Sequence, residues 1–227
     1  MNMQRASEFL NEQQRKQIEK SVSEAEAITS CEIVPVVTTS SGRYDRAEDM
    51  VGLWLAVLAA VIVWCLFPRQ LTEPGSWDGT RFGTGLFTMI AGILVAFVAG
   101  AIAASRLGWL RRLFTPRKQM LDEVSTRARQ VFYDQRVHHT SGSSGVLIYV
   151  SLFEHMAVVL GDQVVLEKFG QASLDRLCQQ LTQGLHRGDS ADAICNVIAE
   201  AGKQFSELMP RAGEDVNELE DTLILID

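Results

Sequence analysis

The sequence predicts an α/β fold: a three-layer α/β/α sandwich with a transmembrane helical hairpin inserted after its first strand. Two long apolar segments interrupt a chain that is otherwise polar. Segments rich in β-branched residues lie on both sides of the interruption, each beside segments with helical periodicity. A single helix and strand precede the interruption. Because they bury too little surface to fold alone, we expect them to join the later elements in one domain.

The first helix is predicted to begin after Asn11, which can cap it and form a capping box with Gln14. Residues 31–39 follow as a strand, and Pro35 within it predicts an edge position or a bulge because proline cannot donate to a ladder. The apolar stripe of the helix is predicted to be Ile18, Val22, Ala25 and Ile28.

The two apolar segments, residues 51–67 and 85–104, contain no charged side chain. As helices they would extend roughly 25 and 30 Å, close to the ~30 Å hydrocarbon core of a bilayer. Neither has the polar stripe of an ordinary core helix, and the polar residues before the first are unlike a signal peptide. Two transmembrane helices joined by an exposed connector, residues 68–84, are therefore predicted.

Basic residues set the orientation of such a hairpin, because cytoplasmic flanks carry the excess of lysine and arginine. The connector has only Arg69 and Arg81. We therefore predict a cell (inner) membrane protein with both termini in the cytoplasm. The basic residues outside the connector that flank the spans are Arg43, Arg46, Arg106, Arg111, Arg112, Arg117 and Lys118.

The charge and composition of the chain indicate which classes of partner and function to expect. The net charge is −7, and the only basic cluster flanks the spans, where it is expected to touch anionic lipid headgroups, so nucleic acid is not a predicted partner. The spans contain no ionisable residue, which argues against a transporter or channel. The predicted partners are the lipid bilayer and other membrane proteins. The cysteines, Cys31, Cys65, Cys178 and Cys195, lack CxxC spacing and are predicted to be buried apolar thiols.

After the spans, a helix is predicted from Arg117 to about His138, followed by a hairpin of strands that start at Gly145 and His155. A helix from about Ser173 comes next. The apolar face of the first of these helices is predicted to be Leu121, Val124, Ala128, Val131 and Phe132. That of the second is predicted to be Leu174, Leu177, Cys178, Leu181 and Leu185.

Ser190 is predicted to cap the last helix, which ends before Pro210, and the acidic tail beyond it is predicted to be only partly ordered. Its apolar face is predicted to be Ile194, Val197, Ile198, Ala201, Phe205 and Leu208. The chain therefore divides into the first part of the domain, the hairpin, the second part and the tail, which are residues 1–47, 48–112, 113–210 and 211–227.

Three segments, "CEIVPVVTT", "RARQVFYDQRVHHTSGSSGVLIYVSLFEHMAVVLGD" and "EDVNELEDTL", resemble the TPM domain family, in particular its bacterial membrane-embedded branch. The resemblance implies a three-layer α/β/α fold, divalent-cation binding in some members and weak acid phosphatase activity in others. It also implies a role in the assembly or quality control of membrane proteins. Family members often carry Asp or Asn before the glycine that opens the second strand, where this chain has Ser144.

The strand order places a candidate site at the edge of the sheet farthest from the spans. The loop between His138 and Ser144 would meet Asp162 and the start of the first strand there. Hard cations such as calcium or magnesium prefer oxygen ligands, so the candidate metal ligands are Asp162, Ser143, Ser144 and Glu32. With so few carboxylates, an affinity on the order of 10⁻⁴ to 10⁻³ M is expected.

The same loop has two other interpretations. His138 and His139 would be favoured in a last helical turn, with Gly142 ending the helix, so the loop could serve only as a helix stop. Direct catalysis is the third interpretation, although "GSSG" matches neither the nucleophile elbow nor a phosphate loop, and no catalytic residue is assigned. The predicted function is that of a membrane-anchored cytoplasmic domain that acts by binding. The alternative is a cation-dependent acid phosphatase of low activity.

Overall fold

In the computed structural model, a four-stranded mixed sheet is formed by residues on both sides of the apolar segments. The strands are β1 Glu32–Thr38, β2 Gly145–Ser151, β3 Met156–Gly161 and β4 Ile224–Ile226. They lie in the order β3-β2-β1-β4, with β1 parallel to both β2 and β4, and β2 antiparallel to β3. The chain is therefore a mixed α/β protein, as predicted. The strand β4 is an addition, because the sequence predicted only an acidic tail there.

The structure describes residues 5–66, 80–138, 144–211, 219 and 222–227. It divides into two compact units. The hairpin unit contains Arg43–Pro116, and the α/β unit contains Gln4–Gly42 and Arg117–Asp227. The predicted connector lies outside the described residues up to residue 79.

Helices occupy most of the remaining chain. The predicted helices are all present, and α1, α5 and α7, defined below, are additions that the sequence did not predict. The helices are α1 Ala6–Phe9, α2 Glu12–Glu26, α3 Asp45–Leu66, α4 Thr80–Arg106, α5 Gly108–Leu113, α6 Arg117–Asp134, α7 Gln163–Phe169, α8 Gln171–His186 and α9 Ser190–Leu208.

The two faces of the sheet belong to separate hydrophobic cores. Alternate strand residues such as Ile33 and Ile148 pack with apolar side chains of α2, α8 and α9. The residues between them, such as Val34 and Leu147, pack with Val124 and its neighbours on α6. This alternation follows from the two-residue repeat of a strand, and it explains why β1 and β2 are buried along their whole length.

Pro35 lies in a central strand, so the predicted edge position is wrong for β1 as a whole. The Ile33 N–H donates to Glu26 Oε1 at 2.8 Å, and the Thr39 N–H donates to the Ile226 carbonyl at 2.8 Å. The N–H groups of Ile33 and Thr39 therefore point away from β2. Because backbone N–H groups alternate in direction along a strand, the nitrogen of Pro35 also points away from β2. The strand β4 pairs only with Val36–Thr38. Proline is tolerated here because neither ladder needs an N–H at this position.

Several predicted helix details are confirmed and others are wrong. The capping box of Asn11 and Gln14 is present. Ser190 is the first residue of α9 rather than its cap, and Asp189 at the cap position makes no side-chain capping bond. The ends of the apolar stripes also differ: Ile28, Leu121 and Leu208 are exposed. The helix α2 ends at Glu26, before Ile28, and Met120 takes the buried position that Leu121 was expected to fill.

The hairpin unit contains two helices that are long and apolar enough to span a membrane, Asp45–Leu66 and Gly85–Arg106. They pack closely where Gly52 meets Gly100, since a Cβ on Gly100 would lie 2.9 Å from the Gly52 Cα. Their outer faces are uncovered: Phe87 is 75% exposed and Val95 is 70% exposed. Helices of a soluble core would bury such side chains, whereas lipid would cover them.

Candidate functional site

The amino-terminal ends of β1 and β2 and the carboxyl end of β3 lie at one edge of the sheet. Glu32 is paired with Gly145, and the Asp162 N–H donates to the Gly145 carbonyl at 2.9 Å. The register therefore brings Glu32, Ser144 and Asp162 to the same edge, which we call the loop edge. Ser143 and His139 lie outside the described residues.

The side chains of Glu32 and Asp162 lie on the face of the sheet that packs against α6, whereas Ser144 occupies the alternate position and its hydroxyl donates to the Ser30 carbonyl. Glu32, Gly145 and Asp162 are each two residues away from strand residues that pack in the α6 core, and side chains two apart share a face. The chain leaving α6 crosses this face, because the Val137 carbonyl oxygen lies 2.0 Å from where a Cβ on Gly145 would be. Only glycine fits under this crossing.

Some of the polar groups at the loop edge form hydrogen bonds within the protein. The Ser144 hydroxyl is buried and donates to the Ser30 carbonyl at 2.7 Å. Asp162 is the N-cap of α7, and its Oδ1 accepts from the Gln163 N–H at 2.7 Å. Its Oδ2 is buried and has no hydrogen-bond partner among the described residues. The Glu32 side chain is buried at the same edge.

The candidate metal ligands at the loop edge, Glu32, Ser144 and Asp162, all offer oxygen atoms. In the described part of the chain, no three His, Cys, Asp or Glu residues form a group that could hold a metal ion. A cation at the loop edge would therefore take one or two carboxylates and complete its shell with carbonyls, hydroxyls and water, which is a set that suits calcium or magnesium rather than zinc.

The histidine at the start of the loop does not end a helix. The helix α6 stops at Asp134, and Arg136 has a positive φ of 55°, which turns the chain before His138. The His138 ring instead packs against Tyr133, with ring centroids 4.8 Å apart. The predicted placement of His138 in the last helical turn is therefore wrong, because a left-handed residue breaks the helix first.

A second polar group, which we call the Glu154 cluster, lies at the opposite edge of the sheet and consists of Ser41, Tyr149, Ser151 and Glu154. Glu154 is 1% exposed, and its carboxylate accepts from the Ser41 N–H at 2.9 Å and from the Ser151 hydroxyl. The Ser41 hydroxyl is 3.0 Å from the Tyr149 hydroxyl and donates to Ser151 Oγ at 2.9 Å. Burial raises the pKa of Tyr149, so its hydroxyl stays protonated.

The Glu154 cluster joins the chain that leaves β1 to the turn between β2 and β3. No sequence pattern indicated this cluster, since a glutamate in a hairpin turn is ordinarily solvated.

Burial raises the pKa of the Cys178 and Cys195 thiols. A raised pKa lowers the thiolate fraction, which is unfavourable for a nucleophile.

A third polar group joins β4 to the amino-terminal segment. Asp227 Oδ2 accepts from the Ser7 hydroxyl at 2.7 Å, and Oδ1 accepts from the Ser7 N–H at 3.1 Å and from the Thr39 hydroxyl at 2.9 Å. The Thr39 hydroxyl oxygen accepts in turn from the Ala6 N–H at 2.8 Å. The hydrogen bonds from Ser7 hold the pKa of Asp227 below its usual value.

The chain matches no family model, and it matches no curated protein sequence. Its fold is similar to the NMR structure of the BA42 protein from the psychrophilic bacterium Bizionia argentinensis, with a TM-score of 0.56. The two chains are 17% identical, and the match covers 96% of this chain and 95% of that one. At this identity the likeness shows the fold and gives no function, so the resemblance to the TPM domain family stays a prediction.

Proposed function

We propose that the chain is a membrane-anchored, TPM-like domain that acts by binding, with a divalent-cation site at the loop edge. Its partners would be membrane proteins during assembly or quality control, as the family resemblance implies. The α/β unit would be a three-layer sandwich that the hairpin interrupts after the first strand. Supporting this architecture, helices pack on both faces of the sheet, and β1 and β2 come from opposite sides of the hairpin in the chain.

Membrane anchoring is supported by the uncovered apolar faces of α3 and α4. Their exposed leucine, valine, phenylalanine and tryptophan side chains would be unfavourable in water and favourable in hydrocarbon. The excess of arginine outside the connector supports a cytoplasmic location for both termini at the inner membrane.

The single observation that carries the cation site is the buried Asp162 Oδ2, which lacks a hydrogen-bond partner among the described residues. A buried carboxylate oxygen without a partner costs free energy, and a bound cation would supply the missing interaction. Glu32 adds a second buried carboxylate at the same edge. Ser143 and Ser144 are the further oxygen ligands that the sequence suggests, and the Ser144 hydroxyl donates to the Ser30 carbonyl.

Binding is better supported than catalysis by the state of the Ser144 hydroxyl. A serine nucleophile needs a base to accept its proton, whereas the proton of Ser144 goes to a backbone carbonyl. The phosphatase alternative remains open to a direct assay, in which the purified chain is given a generic phosphate ester with and without calcium or magnesium.

The cation site is tested by the melting temperature of the full chain in detergent micelles. A cation that binds only the folded state raises this temperature, so millimolar calcium or magnesium should do so for the wild type. Asp162→Asn should remove the increase while it keeps the metal-free melting temperature, because asparagine caps a helix as well as aspartate does. Asp122→Asn, an exposed change on α6, is the control and should respond like the wild type.

Two results would reject the site: no shift with either cation, or a full shift in Asp162→Asn. Phosphate-ester hydrolysis that needs the cation and is lost in Asp162→Asn would favour the phosphatase alternative. A binding role predicts that cross-linking in membranes captures other membrane proteins, and that the α/β unit is needed for this capture.

A further inference from the structure

The short helix α5 has an apolar side that the protein does not cover. Trp109 is 58% exposed and Leu113 is 70% exposed. They are four residues apart, so they lie on one side of the helix. The helix α5 packs against both α3 and α4.

The arginines in and beside α5 differ in their environments. Arg111 pairs with Glu48 of α3 through its Nε, at 3.1 Å, and its Nη2, and the two side chains are only 19% and 21% exposed. This pair neutralises Arg111 and fixes α5 to the beginning of α3. Arg106 and Arg112 have no ion pair or hydrogen bond from their side chains within the described residues. Their positive charges are therefore available to a ligand.

The position of α5 follows from its continuity with α4. The apolar part of α4 ends at Arg106, and α5 begins at Gly108. If α4 crosses the bilayer, as the proposed function requires, α5 lies at the depth of the lipid headgroups. Tryptophan is favoured at that depth, and short helices with an apolar side and basic residues lie along it.

We infer that α5 is an interfacial helix that binds anionic phospholipids in the leaflet where α4 ends. Trp109 and Leu113 enter the boundary between headgroups and acyl chains. Arg106 and Arg112 bind headgroup phosphates, for which the planar guanidinium offers paired donors. The Glu48–Arg111 pair holds the helix in the orientation that makes this possible. The inference rests on the proposed membrane anchoring and adds the chemical class of lipid that the anchor selects.

Lipid retention tests the inference. The full chain is placed in nanodiscs of mixed phosphatidylcholine and phosphatidylglycerol, then released, and the retained lipids are counted by native mass spectrometry. The wild type should retain phosphatidylglycerol in preference, by roughly fivefold for each arginine that contacts a headgroup. The double variant Arg106→Gln/Arg112→Gln should lose the preference. The matched control Arg129→Gln/Arg176→Gln, with exposed arginines of α6 and α8, should keep it.

A second measurement reports the depth of α5. In a variant with Trp54, Trp64 and Trp77 changed to Phe, Trp109 is the sole tryptophan. Phospholipids brominated near the headgroup end of the acyl chain should quench its fluorescence more than those brominated near the methyl end. Absent quenching in a chain that still inserts into nanodiscs would overturn the inference and leave anchoring intact. Loss of the lipid preference in the control variant would also overturn it. A chain that stays soluble without detergent would instead refute the anchoring.

Discussion

Gly42 lies directly against the side chain of Glu123: a Cβ on residue 42 would be 2.9 Å from the Glu123 Cγ. Gly42 is the last residue of the α/β unit before the hairpin unit, and Glu123 lies on α6, the first helix after it. The α/β unit therefore holds the segments on either side of the hairpin close together by its own contacts. A close approach of this kind allows a short connection to replace the hairpin.

The first prediction follows from this contact. Replacing residues 43–116 with a short flexible linker should give a soluble α/β domain that unfolds cooperatively in urea. Both hydrophobic cores lie within the residues that remain, and a short loop costs little entropy to close. Unfolding in urea is monitored by far-ultraviolet circular dichroism and by the near-ultraviolet signal of tyrosine, because all the tryptophans lie in the replaced segment.

The matched comparison is the fragment 117–227. It lacks β1, which lies between β2 and β4 in the sheet. Without β1, β2 loses its partner on one side and β4 loses the strand that it pairs with. This fragment should aggregate or stay unfolded because it exposes unpaired strand edges. A monomeric, cooperatively folded 117–227 fragment would contradict an interrupted domain.

The second prediction concerns the crossing over Gly145. Gly145→Ala would place a Cβ within 2.0 Å of the Val137 carbonyl oxygen and 2.7 Å of Val137 Cγ1. Overpacking usually costs about 1–3 kcal/mol, and the cost should be at the upper end here because a backbone atom must move. The thermal midpoint of the full chain should fall clearly. The neighbouring variant Ser144→Ala loses the hydrogen bond to Ser30, worth about 1 kcal/mol, and its thermal midpoint should fall less than that of Gly145→Ala. A larger fall for Ser144→Ala would be inconsistent with the crossing.

The third prediction concerns Glu154. In Glu154→Ala the Ser41 N–H and the Ser151 hydroxyl lose their acceptor, and each buried donor left without one costs about 1–3 kcal/mol of unfolding free energy. Glu154→Gln keeps one acceptor oxygen and should cost less. Glu167→Ala, an exposed change on α7, should stay within about 0.5 kcal/mol of the wild type. Equal stability of the Glu154→Ala and Glu167→Ala variants would show that the Glu154 cluster does not support the fold.

The fourth prediction concerns acid. The pKa of Asp227 is lowered in the folded chain, so the unfolded state takes up its proton at a higher pH than the folded state does. Its contribution to stability is therefore complete above the unfolded pKa and is lost as the pH falls through the folded pKa. Wild type should lose more stability than Asp227→Asn as the pH is lowered from about 5 to 3.

Ser7→Ala provides a second variant for the acid experiment. It removes the hydroxyl that donates to Asp227 and should give part of the same loss of pH dependence. Melting temperatures in a pH series measure both effects. If the wild-type and Asp227→Asn curves stay parallel across this range, the carboxylate is not the acid-sensitive group.

Local patterns in the sequence predicted most of the individual elements. The capping box at Asn11, the strands β1 to β3 and the two apolar helices depend on residues near one another in the chain, which is where periodicity carries information. The strand β4 escaped prediction because three residues after an acidic stretch make a strand only where β1 offers an edge. The helix α7 was missed because Asp162 was assigned a role at the end of a strand rather than as a helix cap.

The candidate site was predictable only to the level of the sheet register. Parallel and antiparallel pairing placed Glu32, Ser144 and Asp162 at one edge, as the strand order implied. The directions of individual hydrogen bonds were not accessible, because they depend on tertiary contacts such as that of Ser144 with Ser30. The Glu154 cluster joins residues 113 positions apart in the chain, a distance at which sequence periodicity has no influence.

The central position of β1 dictates the order of events during biosynthesis. This strand is synthesised before the hairpin, while its neighbours β2 and β4 are synthesised after it. Both apolar helices are therefore synthesised before β1 can pair with either neighbour. During that interval β1 is an unpaired strand with five consecutive apolar residues, the kind of segment that chaperones protect. If the hairpin inserts into a bilayer, as proposed, its two ends are held together, and this shortens the loop that β1 must close to find β2.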